Sequence, residues 1–139
     1  MEGLGKDFDV VAVADGVWIN MEDVGSITFF GLLSGGDTFT IKEATSSGGA
    51  DEQDLDVIDH WFAQVDGDGT DSWTRETQSP ADAAVTEGDD LVAIHVDATM
   101  LSDGFTHLEC TATSTGVVWA VLHNLAVQRT PENLPVRSV

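Results

Sequence analysis

Basic side chains are nearly missing from this chain. Lys and Arg number five, Lys6, Lys42, Arg75, Arg129 and Arg137, against 25 Asp and Glu in 139 residues. Five scattered cations form no basic stripe able to neutralise phosphates, so a nucleic-acid partner is not expected, and an anionic membrane is equally disfavoured. Cysteine is scarce too. Cys110 stands alone, which excludes an intrachain disulfide, and the alternation Leu108, Cys110, Ala112 marks it as a small buried hydrophobe rather than a nucleophile. No apolar run approaches the roughly 18 residues of a membrane helix. The opening MEGLGKDFDV has no signal-peptide core, so a soluble protein made inside a cell is expected.

Catalytic signatures are absent as well. There is no G-x-S-x-G, no H-E-x-x-H, no Walker loop and no strand-linked G-x-G-x-x-G, since Gly3-Leu4-Gly5 lies at the extreme N-terminus. His60, His95, His107 and His123 are too dispersed for a metal spacing, and among 25 acids a pair of carboxylates carries almost no information. The chain does not read as an enzyme, and no cofactor is expected.

What is present is negative charge on an apolar frame. The net charge is -20 and the sequence pI near 4.1, yet 42% of residues are hydrophobic and the mean hydropathy is close to zero. Acidic disordered tails are poor in apolar residues, so this chain should fold. Its acids cluster: Asp51, Glu52, Asp54, Asp56 and Asp59, then Asp66, Asp68 and Asp71, then Glu87, Asp89 and Asp90. Such clusters repel at a Debye length of about 8 Å and barely do so at about 3 Å, in molar salt. The charge is carried mostly by short Asp side chains, which hold water and hydrated cations. A protein adapted to brine is expected, the alternative being an ordinary acidic mesophilic protein.

The length fits one domain, residues 1–139. Period-two alternation predicts strands at Phe8–Ala14, Trp18–Asn20, Ser26–Leu33, Thr38–Ala44, His60–Val65, Ser72–Thr77, Leu91–Asp97, Thr106–Thr113 and Val117–Val127, separated by Gly- and Asp-rich turns. That spacing predicts an all-β fold, an antiparallel β-sandwich or a jelly-roll-like barrel. Two short helices are expected, over Asp51–Ile58, where Leu55, Ile58 and Phe62 share a helical face, and over Ala98–Leu101. The core should take Val92, Ile94, Val96, Leu108, Cys110 and Ala112, leaving His95, His107 and Glu109 on outer faces. Val117–Leu125 is apolar on both faces, so it is either central between two layers or covered by another subunit.

One loop has a ligand-like pattern. In Asp66-Gly67-Asp68-Gly69-Thr70-Asp71 oxygen ligands alternate with glycines, as a calcium loop begins, but Asp71 stands where an EF-hand has Gly and Thr77 where it has Glu. The favoured reading is a solvated hairpin tip; the alternative is Ca2+ or another cation on Asp66, Asp68 and Asp71. The last stretch, 129–139, contains Pro131, Pro135, Arg129 and Arg137 and reads as an extended basic arm laid on an acidic neighbour. With an N-terminal arm over 1–7, this makes Leu4, Lys6, Arg129, Pro131, Leu134, Arg137 and Val139 the candidate interaction residues.

The chain resembles small head-associated structural proteins of tailed viruses over about Phe8 to Leu134. The likeness rests on Gly36-Asp37-Thr38-Phe39-Thr40, on Trp73-Thr74 with Thr77-Gln78, and on Leu101 with Asp103-Gly104-Phe105 and Leu108. It continues through the ending Leu122-His123-Asn124-Leu125-Ala126-Val127-Gln128-Arg129-Thr130-Pro131-Glu132-Asn133-Leu134. With the acidity, it implies a virus of a halophilic archaeon. The resemblance implies a capsid decoration protein on the virion surface, made in the host cytoplasm, a homo-oligomer (trimer, pentamer or hexamer) seated on the major capsid protein. The alternatives are a tail tube or baseplate subunit, and a glycan or surface-polymer binding module that would use Trp18, Trp61, Trp73 and Trp119.

Overall fold

The computed structural model of the chain describes residues 2–33, 35–114 and 117–138. Eleven strands follow one another: β1 (Phe8–Val13), β2 (Ile19–Asn20), β3 (Val24–Leu32), β4 (Asp37–Ala44), β5 (Gln53–Asp54), β6 (Ile58–Gln64), β7 (Thr74–Asp82), β8 (Ala84–Glu87), β9 (Leu91–Asp97), β10 (His107–Ala112) and β11 (Val117–Leu125). They build two antiparallel sheets packed as a sandwich. One sheet runs β1-β11-β3-β9-β6-β7; the other runs β2-β10-β4-β5, with β8 also paired to β4.

Alternation in the sequence decides which side chains meet between the sheets. From the six-stranded sheet Ile27, Phe29, Val92, Ile94, Val96, Val118, Ala120 and Leu122 point inward, and from the five-stranded sheet Phe39, Ile41, Val85, Leu108 and Cys110 meet them. Gly31 is part of this fit. A Cβ there would lie 2.6 Å from Cζ of Phe39, so the ring of one sheet rests on the bare backbone of the other. A second close approach falls at Gly25, where a Cβ would come within 2.7 Å of that of Asn124, a residue with φ 56°.

Several sequence expectations change. Asp51–Ile58 is not helical: the Leu55 amide donates to the Ile41 carbonyl of β4, and Gln53–Asp54 pair with that strand's edge. Leu55 and Ile58 are buried, as a helical face would require, but Phe62 points to the opposite side of the sheet and is 40% exposed. Two single 3-10 turns, Ala98–Met100 and Pro131–Asn133, are the helical elements among the described residues. Strand β7 extends through Pro80 to Asp82, and β8 was not anticipated. As an edge strand β7 tolerates proline and carries Arg75, Glu76 and Asp82, features that discourage unwanted strand pairing.

His107 and Glu109 are also buried rather than exposed. Segment 14–17 folds over this part of β10: the Gly16 amide donates to Glu109 Oε1 at 2.6 Å, and Asp15 accepts from the Ala112 amide. Burial pushes the Glu109 carboxyl up and the His107 imidazole down from their ordinary values.

Candidate functional site

The register of the six-stranded sheet defines an unusual outer face. One row of side chains crosses all six strands, Ala12, Trp119, Phe30, Ala93, Phe62 and Arg75. On one side of it lies the row Val10, Val121, Thr28 and His95, followed by Phe8, His123, Ser26 and Asp97; on the other lies Val117, Leu32, Leu91 and Gln64. Phe30 and Trp119 stack with ring centroids 5.5 Å apart. Val10 is 47% exposed, Leu32 44% and Val117 64%. Asp97, at an end of the sheet, is the only carboxylate at these positions, and Asp59 reaches the same face beside Phe62 through its 2.6 Å contact with His60, although the chain holds 25 acids.

Polar groups on this face bond to one another. Thr28 Oγ1 lies 3.0 Å from His95 Nδ1 and 3.1 Å from His123 Nε2, while His95 Nε2 lies 3.2 Å from Asp97 Oδ1. If His95 Nε2–H donates to the carboxylate, its Nδ1 accepts from the Thr28 hydroxyl, which in turn accepts from His123 Nε2–H. Burial, then the neighbouring His95, holds His123 below its ordinary value.

The opposite outer face is different in kind. Thr38, Thr40, Lys42, Thr86, Glu109 and Thr111 alternate with the core residues of the five-stranded sheet. Among the described residues, no exposed large hydrophobic lies on that face.

The candidate arm residues gather at the end of the sandwich where β1 begins and β11 stops. The Arg129 amide donates to the Gly5 carbonyl at 2.8 Å, and Leu4, Lys6, Arg129 and Pro131 line a cleft of about 320 Å³ with Glu2. Leu134 lies beside Gly5. Arg137 departs from the sequence reading. It is buried within its own chain, with Nε 3.4 Å from Asp9 Oδ2 and Nη1 2.8 Å from the Glu22 carbonyl, while Ser138 bridges Ile19. A side chain so enclosed cannot reach an acidic neighbour. Val139 lies outside the described residues.

The Asp66–Asp71 loop caps the far end of the molecule, between β6 and β7. Asp68 Oδ1 accepts from the Thr70 amide and hydroxyl, which fixes the turn and holds its carboxyl below the ordinary range. Asp66 is pushed up, first by the charge of Asp71. Asp66 and Asp71 approach each other, yet no group of three or more His, Cys, Asp or Glu among the described residues is arranged to hold a metal ion.

Other buried polar groups are tied into the scaffold. Asp37 accepts from the amides of Thr38, Thr113 and Ser114 and from the Thr113 hydroxyl; burial raises its carboxyl, and these bonds outweigh that effect and lower it. Glu43 accepts from Gln53 and from the Ser102 amide and hydroxyl. Burial pushes the Cys110 thiol up to about 12, far from a nucleophile's range. The tryptophans do not form one platform, because Trp18 and Trp61 are buried while Trp73 is exposed and Trp119 stacks on Phe30.

Sequence reasoning pointed to β11 through its two apolar faces but missed Phe8, Val10, Phe30, Leu32 and Phe62 as members of the same surface. The adjacent pair Phe29-Phe30 was a signal, since alternation must send one ring inward and the other out. No family model, curated protein or solved structure matches the chain.

Proposed function

We propose that this chain is a structural subunit of a virion, a decoration protein that reinforces the outer surface of a tailed-virus head. The observation that carries the reading is the acid-poor apolar face of the six-stranded sheet. A chain of net charge -20 that keeps one broad surface nearly free of carboxylates is built to have that surface covered by protein. The remaining features agree with a passive structural role. The sandwich is tied by internal hydrogen bonds, and no buried side-chain polar atom among the described residues lacks a partner. The sequence resemblance supplies the viral context, with homo-oligomers on the major capsid protein, and the acidity supplies a halophilic archaeal host.

The test is compositional. Virions purified in molar salt and separated into heads and tails are analysed by quantitative mass spectrometry. The expected outcome is copy numbers comparable to the major capsid protein, in the head fraction and accessible to surface labelling. Recovery in the tail fraction would assign the chain to a tail tube or baseplate, and absence from both would remove the virion reading.

A further inference from the structure

Three properties of the outer face of the six-stranded sheet restrict what can cover it. It is a broad sheet surface of interleaved rings and aliphatic side chains, the kind another sheet covers at a spacing of about 10 Å. It measures about 25 Å across the strands and about 20 Å along them, so covering it with a like face removes on the order of 1,000 Å² of surface, near the lower limit of specific interfaces. Finally, the other sheet turns outward threonines, charged groups and a few small or buried residues such as Ala84, Ala44 and His107, and, among the described residues, no row of rings and aliphatic side chains. A head-to-tail contact between copies needs two different complementary patches, whereas an isologous contact uses one patch twice.

We infer that this face binds the same face of a second copy of the chain across a two-fold axis, burying the row Trp119, Phe30, Ala93 and Phe62 at its centre. Charge selects the orientation. Lys6 and Arg129 lie at one end of the sandwich, among Glu2, Glu22, Asp23 and Asp97, whereas Asp66, Asp68, Asp71, Asp89 and Asp90 at the other end have no basic residue beside them among the described residues. An axis along the strands would bring acidic tip against acidic tip. An axis crossing the strands instead sets each tip toward the partner's end of mixed charge, where Lys6 and Arg129 lie, and that arrangement is the favoured one. The inference rests on the face being covered by protein and is independent of the viral context.

The experiment is a mass measurement by sedimentation or light scattering in molar KCl. Wild-type chain should run at twice 14.8 kDa. Val10→Glu/Leu32→Glu should run as a monomer with an unchanged circular dichroism spectrum, and Thr40→Glu on the opposite sheet should stay dimeric. Should the double variant lose structure, Val117→Glu, at a more exposed site, replaces it. Ala93→Cys should be joined to its partner by a short bis-maleimide, because Cys110 is buried and does not compete. A wild-type mass of 14.8 kDa at every concentration, or a dimer that persists in the glutamate variants, overturns the inference. A monomer in solution that is nevertheless stoichiometric in particles overturns self-pairing alone, and a dimer absent from particles overturns the virion role alone.

Discussion

At the residue scale the informative side chains are the buried charges and histidines. Arg137 and Asp9 are each buried, and removing one leaves the other's charge enclosed without its partner. Such truncations cost about 3–5 kcal/mol, so Arg137→Ala should lower the unfolding free energy by about 3 kcal/mol, measured by urea denaturation in high salt. An exchange smaller than that of an exposed surface pair would show that the ion pair contributes little. Histidine titration gives a second expectation. His107 and His123 both sit below the ordinary 6.5, first because burial disfavours the imidazolium. The unfolded chain therefore binds protons near 6.5 that the folded chain refuses, so stability is complete above that pH and declines as pH falls toward the folded values. Melting between about pH 7.5 and about pH 5.5 should show this decline, and His107→Gln/His123→Gln should flatten it.

At the scale of strands, legibility follows the reach of alternation. β1, β3, β4, β9, β10 and β11 carry six or more residues of period-two pattern, and each was expected close to its observed place. β5 and β8 have two and four residues, too few for a period, and they exist because β4 offers them an edge. Residues Leu55, Ile58 and Phe62 imitate a helical stripe because four-residue spacings also arise when a chain turns and then resumes as a strand. The outer apolar face was half legible: β11 announced it, but the row through Phe30 and Phe62 depends on a register between strands far apart in sequence. Burial of Glu109 was invisible, since the segment that covers it comes from before β2. One packing detail at this scale is directly testable. Gly31→Ala places a methyl where Phe39 lies, and Phe39 is enclosed, so the variant should lose about 1–3 kcal/mol in denaturant unfolding. A variant as stable as wild type would mean that the sheets separate slightly without penalty.

For the whole molecule the governing quantity is the imbalance of charge. Acidic groups from the loops before β7 and before β9 converge, as the upward displacement of Asp66 by Asp71 and of Asp89 by burial and then Glu87 indicates. Lowering the salt from about 2 M to about 0.05 M lengthens the screening distance severalfold and should lower the melting temperature markedly. Asp66→Asn should recover part of that loss at low salt and have no effect in molar salt, read by circular dichroism melting. A melting temperature independent of salt would argue against adaptation to brine.

The pairing of β1 with β11 has a consequence for how the molecule comes into being. Phe8 meets His123, more than a hundred residues later, and among the described residues β1 has no other neighbouring strand in its sheet. During synthesis this strand must wait for its sheet partner until most of the domain has emerged, and closing so long a loop is among the entropically dearest contacts in the fold. Assembly of the sandwich therefore closes late on its earliest strand, with the segment after β11 left to lock it through Arg129 on Gly5 and Arg137 on Asp9.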